Sequence, residues 1–477
     1  MLKVLFVASE AAPFVKTGGL GEVIGSLPAA LRALGVDARV IIPKYRSLSK
    51  EYKDNIKYLK HIYIDLSWRK LYCGIEQYEH NGVPVYFIDN MYYFDKDYLY
   101  GYGDLEVERY GFFCKAVLEV LTHIDFIPDI LHCHDWQTGL LPFLLKTQYS
   151  KELANTRAIF TVHNLKFQGL FPKRLLGDVL GVGDEYFTPD KLEFRGNVNS
   201  LKAGLVYADV ISTVSPTYAE EIQETFYGEG LEGILRARKH ELYGVLNGID
   251  YEAYNPKTDT LIFKNYGSDN WEQGKSFNKK ELQKTLGLTV KPDVPIIGIV
   301  ARLVSQKGLD LVSCVLKEML ELDVQLIILG SGESSYEDMF KYAAYKNPDR
   351  VFVNIGYDDT LAHRIYAGAD VFLMPSSFEP CGLGQLFALR YGAIPIVRET
   401  GGLKDTVESF NEFTDEGNGF SFTNYNAHDM LFTIRRALSF YSQPEIWSAL
   451  VKRAMESDNS WERSAEKYIE IYKKIVN

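Results

Sequence analysis

The chain has 477 residues, 46% hydrophobic and 24% charged, an ordinary globular composition in a chain long enough for two domains. Lys and Arg number 52 against 63 Asp and Glu, a net charge of −11 that argues against nucleic acid or an anionic membrane as partner, while leaving room for a local basic site. The five cysteines are widely spaced with no CxxC pair, and neither a signal peptide nor a membrane-length apolar run is visible, so a reducing, cytoplasmic setting is expected.

Short apolar runs alternate with helical periodicity, the pattern of parallel α/β units. Strands are predicted at Leu2–Val7, Ala38–Ile42, Asp129–His132, Ile159–Val162, Val210–Val214 and Tyr243–Leu246 in the first half. In the second half they are predicted at Ile296–Val300, Gln325–Leu329, Val351–Asn354, Val371–Met374 and Ala393–Val397. Spaced apolar residues predict helices at Val23–Leu34 and Leu309–Leu322. The stretch Asn247–Val294 shows no clear α/β unit and contains the turn formers Asn255-Pro256 and Lys291-Pro292, so a domain boundary is placed there. The expected fold is α/β, with two doubly wound Rossmann-like domains, 1–246 and 247–455, facing across a cleft. A C-terminal helix is expected in 456–477, with apolar residues at helical spacing over Trp461–Val476, packing on either domain, a crossing back to the first domain being one alternative.

Ligands of parallel α/β sheets bind beyond the carboxyl ends of the strands, and unusual polar residues cluster there. The first half places His134-Asp135, His163-Asn164 and Asn247-Gly248 at strand ends. The second half places Arg302 and Lys307-Gly308, then Gly356-Tyr357, then Glu379-Pro380-Cys381-Gly382-Leu383. The string Thr-Gly-Gly-Leu occurs twice, at Thr17–Leu20 and Thr400–Leu403, each after a predicted strand, where paired glycines let backbone amides approach an anion. Arg302 and Lys307 combine a rigid fork with a point charge beside a glycine, the composition of a phosphate clamp. Cys381-Gly382-Leu383 is expected to open a helix whose free amides add to that anion site. Cys381 itself is either a small buried filler or a contact. His163 is read as functional from its strand-end position, whereas Asp135 is read either as a site residue or as the cap of a helix near Gln137.

The glycines Gly19, Gly21 and Gly25 make a GxGxxxG string, but some ten residues separate it from the strand, and the second strand ends in Pro43-Lys44 rather than in an acid. A dinucleotide site is therefore disfavoured.

Seven motifs in collinear order carry a resemblance. They are Lys16–Val23, His134–Gln137, Val162–Leu165, Asn247–Asp250, Arg302–Gly308, Phe378–Leu383 and Arg398–Leu403. Together they resemble bacterial glycogen synthases and plant starch synthases. The resemblance implies a GT-B fold and retaining transfer of glucose from ADP-glucose to the non-reducing 4-hydroxyl of an α-1,4-glucan. It implies no metal and no cofactor beyond the nucleotide-sugar donor and glucan acceptor. It assigns Lys16 and the Gly18-Gly19 loop to the sugar nucleotide, Arg302 and Lys307 to its phosphates, and His163, Asn164, Asn247 and Glu379 to the transferred glucose. Tyr357 would stack on the adenine; Glu22, Asp135, Cys381, Gly382, Leu383 and Thr400 complete the expected substrate contacts. Two departures stand out: Glu22 replaces an Asp common in relatives, and Phe387 occupies a position where related enzymes carry a second Glu. UDP-glucose as donor, a glycoside hydrolase and a non-catalytic glucan-binding module are the alternatives weighed.

Overall fold

A computed structural model describes residues 1–476. The chain divides into two compact units, Met1–Asn247 with the segment from Trp461 onward, and Gly248–Ser460.

The first unit is built on a nine-stranded sheet. Its seven parallel strands lie side by side as Leu242–Gly244, Val210–Thr213, Arg157–Val162, Ile130–His134, Lys3–Val7, Asp37–Pro43 and Val83–Asp89. Val4, Leu5, Phe6 and Val7 are all fully buried, as expected of a central strand covered on both faces. The strand order reverses between Lys3–Val7 and Ile130–His134, so the loops after these two strands flank the topological switch point.

Two further strands, Lys57–Leu66 and Arg69–His80, extend the sheet antiparallel beyond Val83–Asp89. None of these three strands is among those expected from the sequence. Along Tyr63, Ile64, Asp65 and Leu66, exposed and buried residues alternate, so no continuous apolar run marks this one-sided ribbon.

The second unit has six parallel strands in the spatial order Val351–Ile355, Gln325–Gly330, Ile296–Val300, Val371–Met374, Ile394–Arg398 and Phe420–Phe422. Numbered along the chain this is the order 3-2-1-4-5-6 of a doubly wound sheet. Its switch point falls between Ile296–Val300 and Val371–Met374, the strands that deliver Arg302 and Glu379.

Three expectations need correction. The stretch read as lacking an α/β unit contains the helix Trp271–Thr285, whose buried face is Gly274, Lys275, Asn278, Lys279, Leu282 and Gln283. That face is almost entirely polar, so apolar periodicity could not reveal it; Lys275 reaches the carbonyls of Tyr366, Ala367 and Tyr391 at 3.3, 3.2 and 3.1 Å. The second unit runs to Ser460 rather than 455, because helix Pro444–Glu456 buries Trp447, Leu450, Val451, Ala454 and Met455 in that unit's core.

The terminal helix begins at Trp461 rather than 456 and joins the first unit. It buries Trp461, Ser464, Ala465, Tyr468, Ile471 and Tyr472, the stripe of an amphipathic helix, and packs on helix Gly19–Ala33. Each large buried side chain there contributes about 1.5–3 kcal/mol. Polar ties fix the docking: Ser464 Oγ donates to the Leu246 carbonyl at 2.6 Å, and Tyr472 OH lies 2.8 Å from His132 Nδ1.

Candidate active site

In the second unit, strand Ile296–Val300 leads into Arg302, which is exposed and makes no ion pair among the described residues. Lys307 Nζ donates to Glu379 Oε2 at 2.6 Å, and Ser376 Oγ donates to the same oxygen at 3.0 Å. Glu379 is buried, at 7% exposure, so its contact with Lys307 is sheltered from solvent. The two strand-end loops are stitched together by the Ser377 amide on the Gln306 carbonyl at 2.9 Å. Close packing requires glycine at 308: φ is 70°, and a Cβ would stand 2.0 Å from the Pro375 carbonyl oxygen.

The second Thr-Gly-Gly-Leu copy serves this loop rather than presenting both glycines outward. The Gly402 amide donates to the carbonyls of Glu379 and Pro380 at 3.2 and 3.1 Å. A Cβ on Gly401 would lie 2.0 Å from the Glu379 carbonyl oxygen, and one on Gly402 would lie 2.1 Å from that of Cys381. Thr400 is fully buried, and Arg398 donates to the Ser377 carbonyl at 2.7 Å. The expected amide array at this copy is therefore corrected for Gly402: its N–H is spent on holding the Glu379 loop.

Cys381 is buried, and the helix expected to begin there starts instead at Gly384 and runs to Arg390. Gly382 has φ 74°, a left-handed conformation that interrupts helical geometry. Buried Gln385 holds the bend, its Nε2 donating to the carbonyls of Cys381 and Gly382 at 3.1 Å each. Leu383 is half-buried. Tyr357 is 79% exposed, with its hydroxyl donating to Asp359 Oδ1 at 2.8 Å.

In the first unit, Lys16 and Glu22 form a 2.5 Å ion pair at the start of helix Gly19–Ala33. Both are solvent-accessible, and such pairs contribute about 0–1 kcal/mol, so separating Lys16 from Glu22 costs little. Gly18 and Gly19 are exposed, and a Cβ on Gly18 would meet nothing within 4 Å. This copy is the open one. Its loop hangs on Glu10, which accepts from the Thr17 amide at 2.5 Å, Thr17 Oγ1 at 2.9 Å and Tyr100 OH at 3.0 Å. Burial raises the Glu10 carboxyl above its ordinary value.

Asp135 does not cap a helix. It sits at φ 56°, and its Oδ1 accepts the His163 amide at 2.7 Å. Burial pushes its carboxyl up to about 7, opposed by amide bonds from His163 and Asn164. His163 is driven down to about 3 by burial and is therefore neutral at physiological pH. Asn164 Oδ1 accepts the Lys166 amide at 3.1 Å, closing a turn, and Asn247 is buried at the end of this unit.

Beside His163 stands a ladder of buried imidazoles, of which the sequence marks His134 as a strand-end residue without a role and His132 only as the end of a strand. His132 and His134 rings stack at 4.2 Å, and His134 Nδ1 lies 3.0 Å from His163 Nε2. Glu10 is a second buried polar residue to which the sequence analysis assigns no role. The strand-end position that marked Asp135 also marks Glu10, three residues after Val7.

The chain matches the family model of the starch synthase catalytic domain over residues 3–237 and that of glycosyl transferases group 1 over residues 283–454. It is 55% identical over 477 residues to the glycogen synthase of Geobacillus thermodenitrificans, covering 100% of this chain and 98% of that protein. The glycogen synthase of Desulforamulus reducens is 54% identical over the same length, with 100% and 99% covered. Among solved structures, the catalytic domain of starch synthase IV from Arabidopsis thaliana, bound to ADP and acarbose, superposes with a TM-score of 0.92 at 34% identity, covering 100% of this chain and 99% of that one. Sucrose-phosphate synthase from Thermosynechococcus elongatus, at 17% identity and a TM-score of 0.63 over 100% and 99% of the chains, shares the fold.

Proposed function

This chain belongs to the glycogen synthase and starch synthase family of glucosyltransferases, and we propose from that premise how its own residues divide the work. The enzyme has the GT-B fold and transfers glucose from ADP-glucose to the non-reducing 4-hydroxyl of an α-1,4-glucan, retaining the anomeric configuration.

Arg302 and Lys307 take the donor diphosphate. The observation that carries this assignment is the Lys307–Glu379 contact at the switch point of the second sheet, with exposed Arg302 on the loop between. Both cations stabilise the charge that builds on the departing ADP. The C1–O bond to phosphate breaks with its electron pair leaving on the phosphate, and the glucan O4 bonds to C1 from the same face. The O4 proton passes to the departing phosphate oxygen. Glu379 holds Lys307 and orients the glucose hydroxyls. Tyr357 offers an exposed ring for the adenine.

In the first unit, Lys16 with the Gly18-Gly19 turn contacts the sugar nucleotide. Neutral His163, with Asn164 and Asn247, hydrogen-bonds the glucose, and Asp135 fixes the backbone that presents His163 and Asn164. The free cysteines suit a reducing, cytoplasmic location.

Incubation with ADP-glucose and glycogen tests the function. ADP release with chain growth is expected. Glucan shortening would indicate a hydrolase, and glucan binding without turnover a non-catalytic module. Initial rates with UDP-glucose in place of ADP-glucose test donor choice, and the slower rate is expected for UDP-glucose.

A further inference from the structure

His134 contacts neither donor nor acceptor in the proposed function, yet its surroundings constrain it tightly. Its fully buried ring lies against Phe6, stacked at 5.6 Å, and against His132 at 4.2 Å. Burial, with His132 and His163 adding to the effect, holds it well below the ordinary imidazole pKa, so it is neutral and carries one ring proton. Nδ1 faces His163 Nε2 at 3.0 Å, whereas Nε2 is buried with no partner. His132 cannot supply one: its own nitrogens are engaged by Tyr472 OH at 2.8 Å and Thr161 Oγ1 at 2.6 Å.

Two proton placements satisfy the His134–His163 contact. If His163 donated from Nε2, His134 would accept on Nδ1 and bury an orphan N–H at Nε2. If His134 donates from Nδ1, the orphan is only a lone pair. Unpaired buried N–H groups are the rarer case in folded proteins, because a donor stripped of water has no second way to be satisfied. The second placement therefore holds. His163 is neutral as well, so with Nε2 accepting, its single proton must sit on Nδ1.

We propose that His134 is a positioning residue that sets the tautomer of His163, so that His163 offers Nδ1–H as a hydrogen-bond donor to a sugar oxygen. This rests on the reading of His163 as a glucose contact. It also gives His163 a definite character: a neutral donor, with its one acceptor nitrogen already occupied, and so no base for the acceptor hydroxyl. The family motif around Asp135 thereby acts twice on His163, with Asp135 fixing the backbone and His134 the ring.

Ring-¹⁵N-histidine labelling tests the tautomer directly, with the His163 signals identified by their loss in His163→Gln. The expected spectrum shows His163 protonated at Nδ1 and bare at Nε2; an Nε2-protonated His163 in the wild-type protein overturns the proposal. His134→Asn retains an amide donor near the Nδ1 position and is expected to keep the Nδ1–H tautomer. His134→Phe retains a ring but no donor; it is expected to release the tautomer and lower kcat by about 10–100-fold, with His134→Asn recovering most of that loss. An unaltered His163 tautomer and unaltered kcat in folded His134→Phe would equally refute it. If the tautomer follows these expectations while His163→Gln keeps full turnover, tautomer control stands and the glucose contact assigned to His163 falls.

Discussion

Lys307 and Glu379 lie 72 positions apart in sequence and meet in a 2.6 Å ion pair. They meet because Ile296–Val300 and Val371–Met374 are adjacent in the sheet, so the loops after them share the switch point. Ser376 Oγ also bonds the Glu379 oxygen that Lys307 reaches, which fixes the carboxylate and through it the cation.

That coupling predicts non-additive stability. Lys307→Met and Glu379→Gln each leave a sheltered charge without its counter-charge, whereas the double variant removes both charges. Urea unfolding of the four proteins should give an interaction energy of about 0.5–3 kcal/mol. Strict additivity would show that the contact is incidental.

The two Thr-Gly-Gly-Leu copies should respond oppositely to one methyl group. Gly402→Ala forces a Cβ to within 2.1 Å of the Cys381 carbonyl oxygen and should destabilise by about 1–3 kcal/mol while displacing the Glu379 loop. Gly18→Ala meets no protein atom within 4 Å and should change stability by less than about 0.5 kcal/mol, while raising KM for the donor. Thermal unfolding and donor KM, measured on both variants, separate the clasp from the open loop.

The histidine ladder predicts acid sensitivity. His163 is held at about 3, and burial holds His132 and His134 well below their ordinary value. Unfolded imidazoles return to about 6.5, so below that pH the unfolded chain binds protons that the folded one refuses. Stability supplied by these groups is complete above about pH 6.5 and falls as pH drops toward 3, each histidine contributing up to about 1.4 kcal/mol per pH unit. Urea midpoints measured from pH 7 to pH 4 should fall, and a His132→Gln protein should show a shallower slope.

Asp135 works in the opposite sense. Its carboxyl stands at about 7 in the folded protein and returns to about 3.9 on unfolding. The folded state therefore keeps a proton that the unfolded state has lost between these values, and that stabilisation disappears as pH rises through 7. Asp135→Asn keeps an oxygen acceptor for the His163 amide without the ionisation. It should gain stability relative to wild type between pH 5 and pH 8, by on the order of 1–3 kcal/mol. An identical difference at the two pH values would contradict a raised Asp135.

Most parallel strands were legible because buried α/β strands are continuous apolar runs, as Val4–Val7 and Ile296–Ile299 show, whereas the parallel strands Val83–Asp89 and Phe420–Phe422 were not. The antiparallel ribbon through Tyr63 and the helix Trp271–Thr285 were not, since one alternates and the other buries Lys275 and Asn278. Strand-end position singled out Arg302, Glu379, His163 and Asp135, and each does lie in a loop after a strand. It could not tell that Asp135 supports a backbone rather than a helix start, because that depends on the loop 28 residues away. Nor could it distinguish the two Thr-Gly-Gly-Leu copies, whose difference lies in what surrounds each glycine. His134 stood out by its strand-end position but its role did not, since its contact with His163 forms only on folding.

Arg302 is the residue proposed to hold the donor diphosphate, and ADP binding is the measurement that decides it. Arg302 is exposed and outside the ion pairs formed among the described residues, so Arg302→Ala should leave stability within about 0.5 kcal/mol of wild type. Calorimetric titration of ADP into the folded variant should show affinity reduced about tenfold or more, a loss of roughly 1.5–3 kcal/mol for a charge-assisted contact. Wild-type affinity for ADP in Arg302→Ala would remove Arg302 from the diphosphate site.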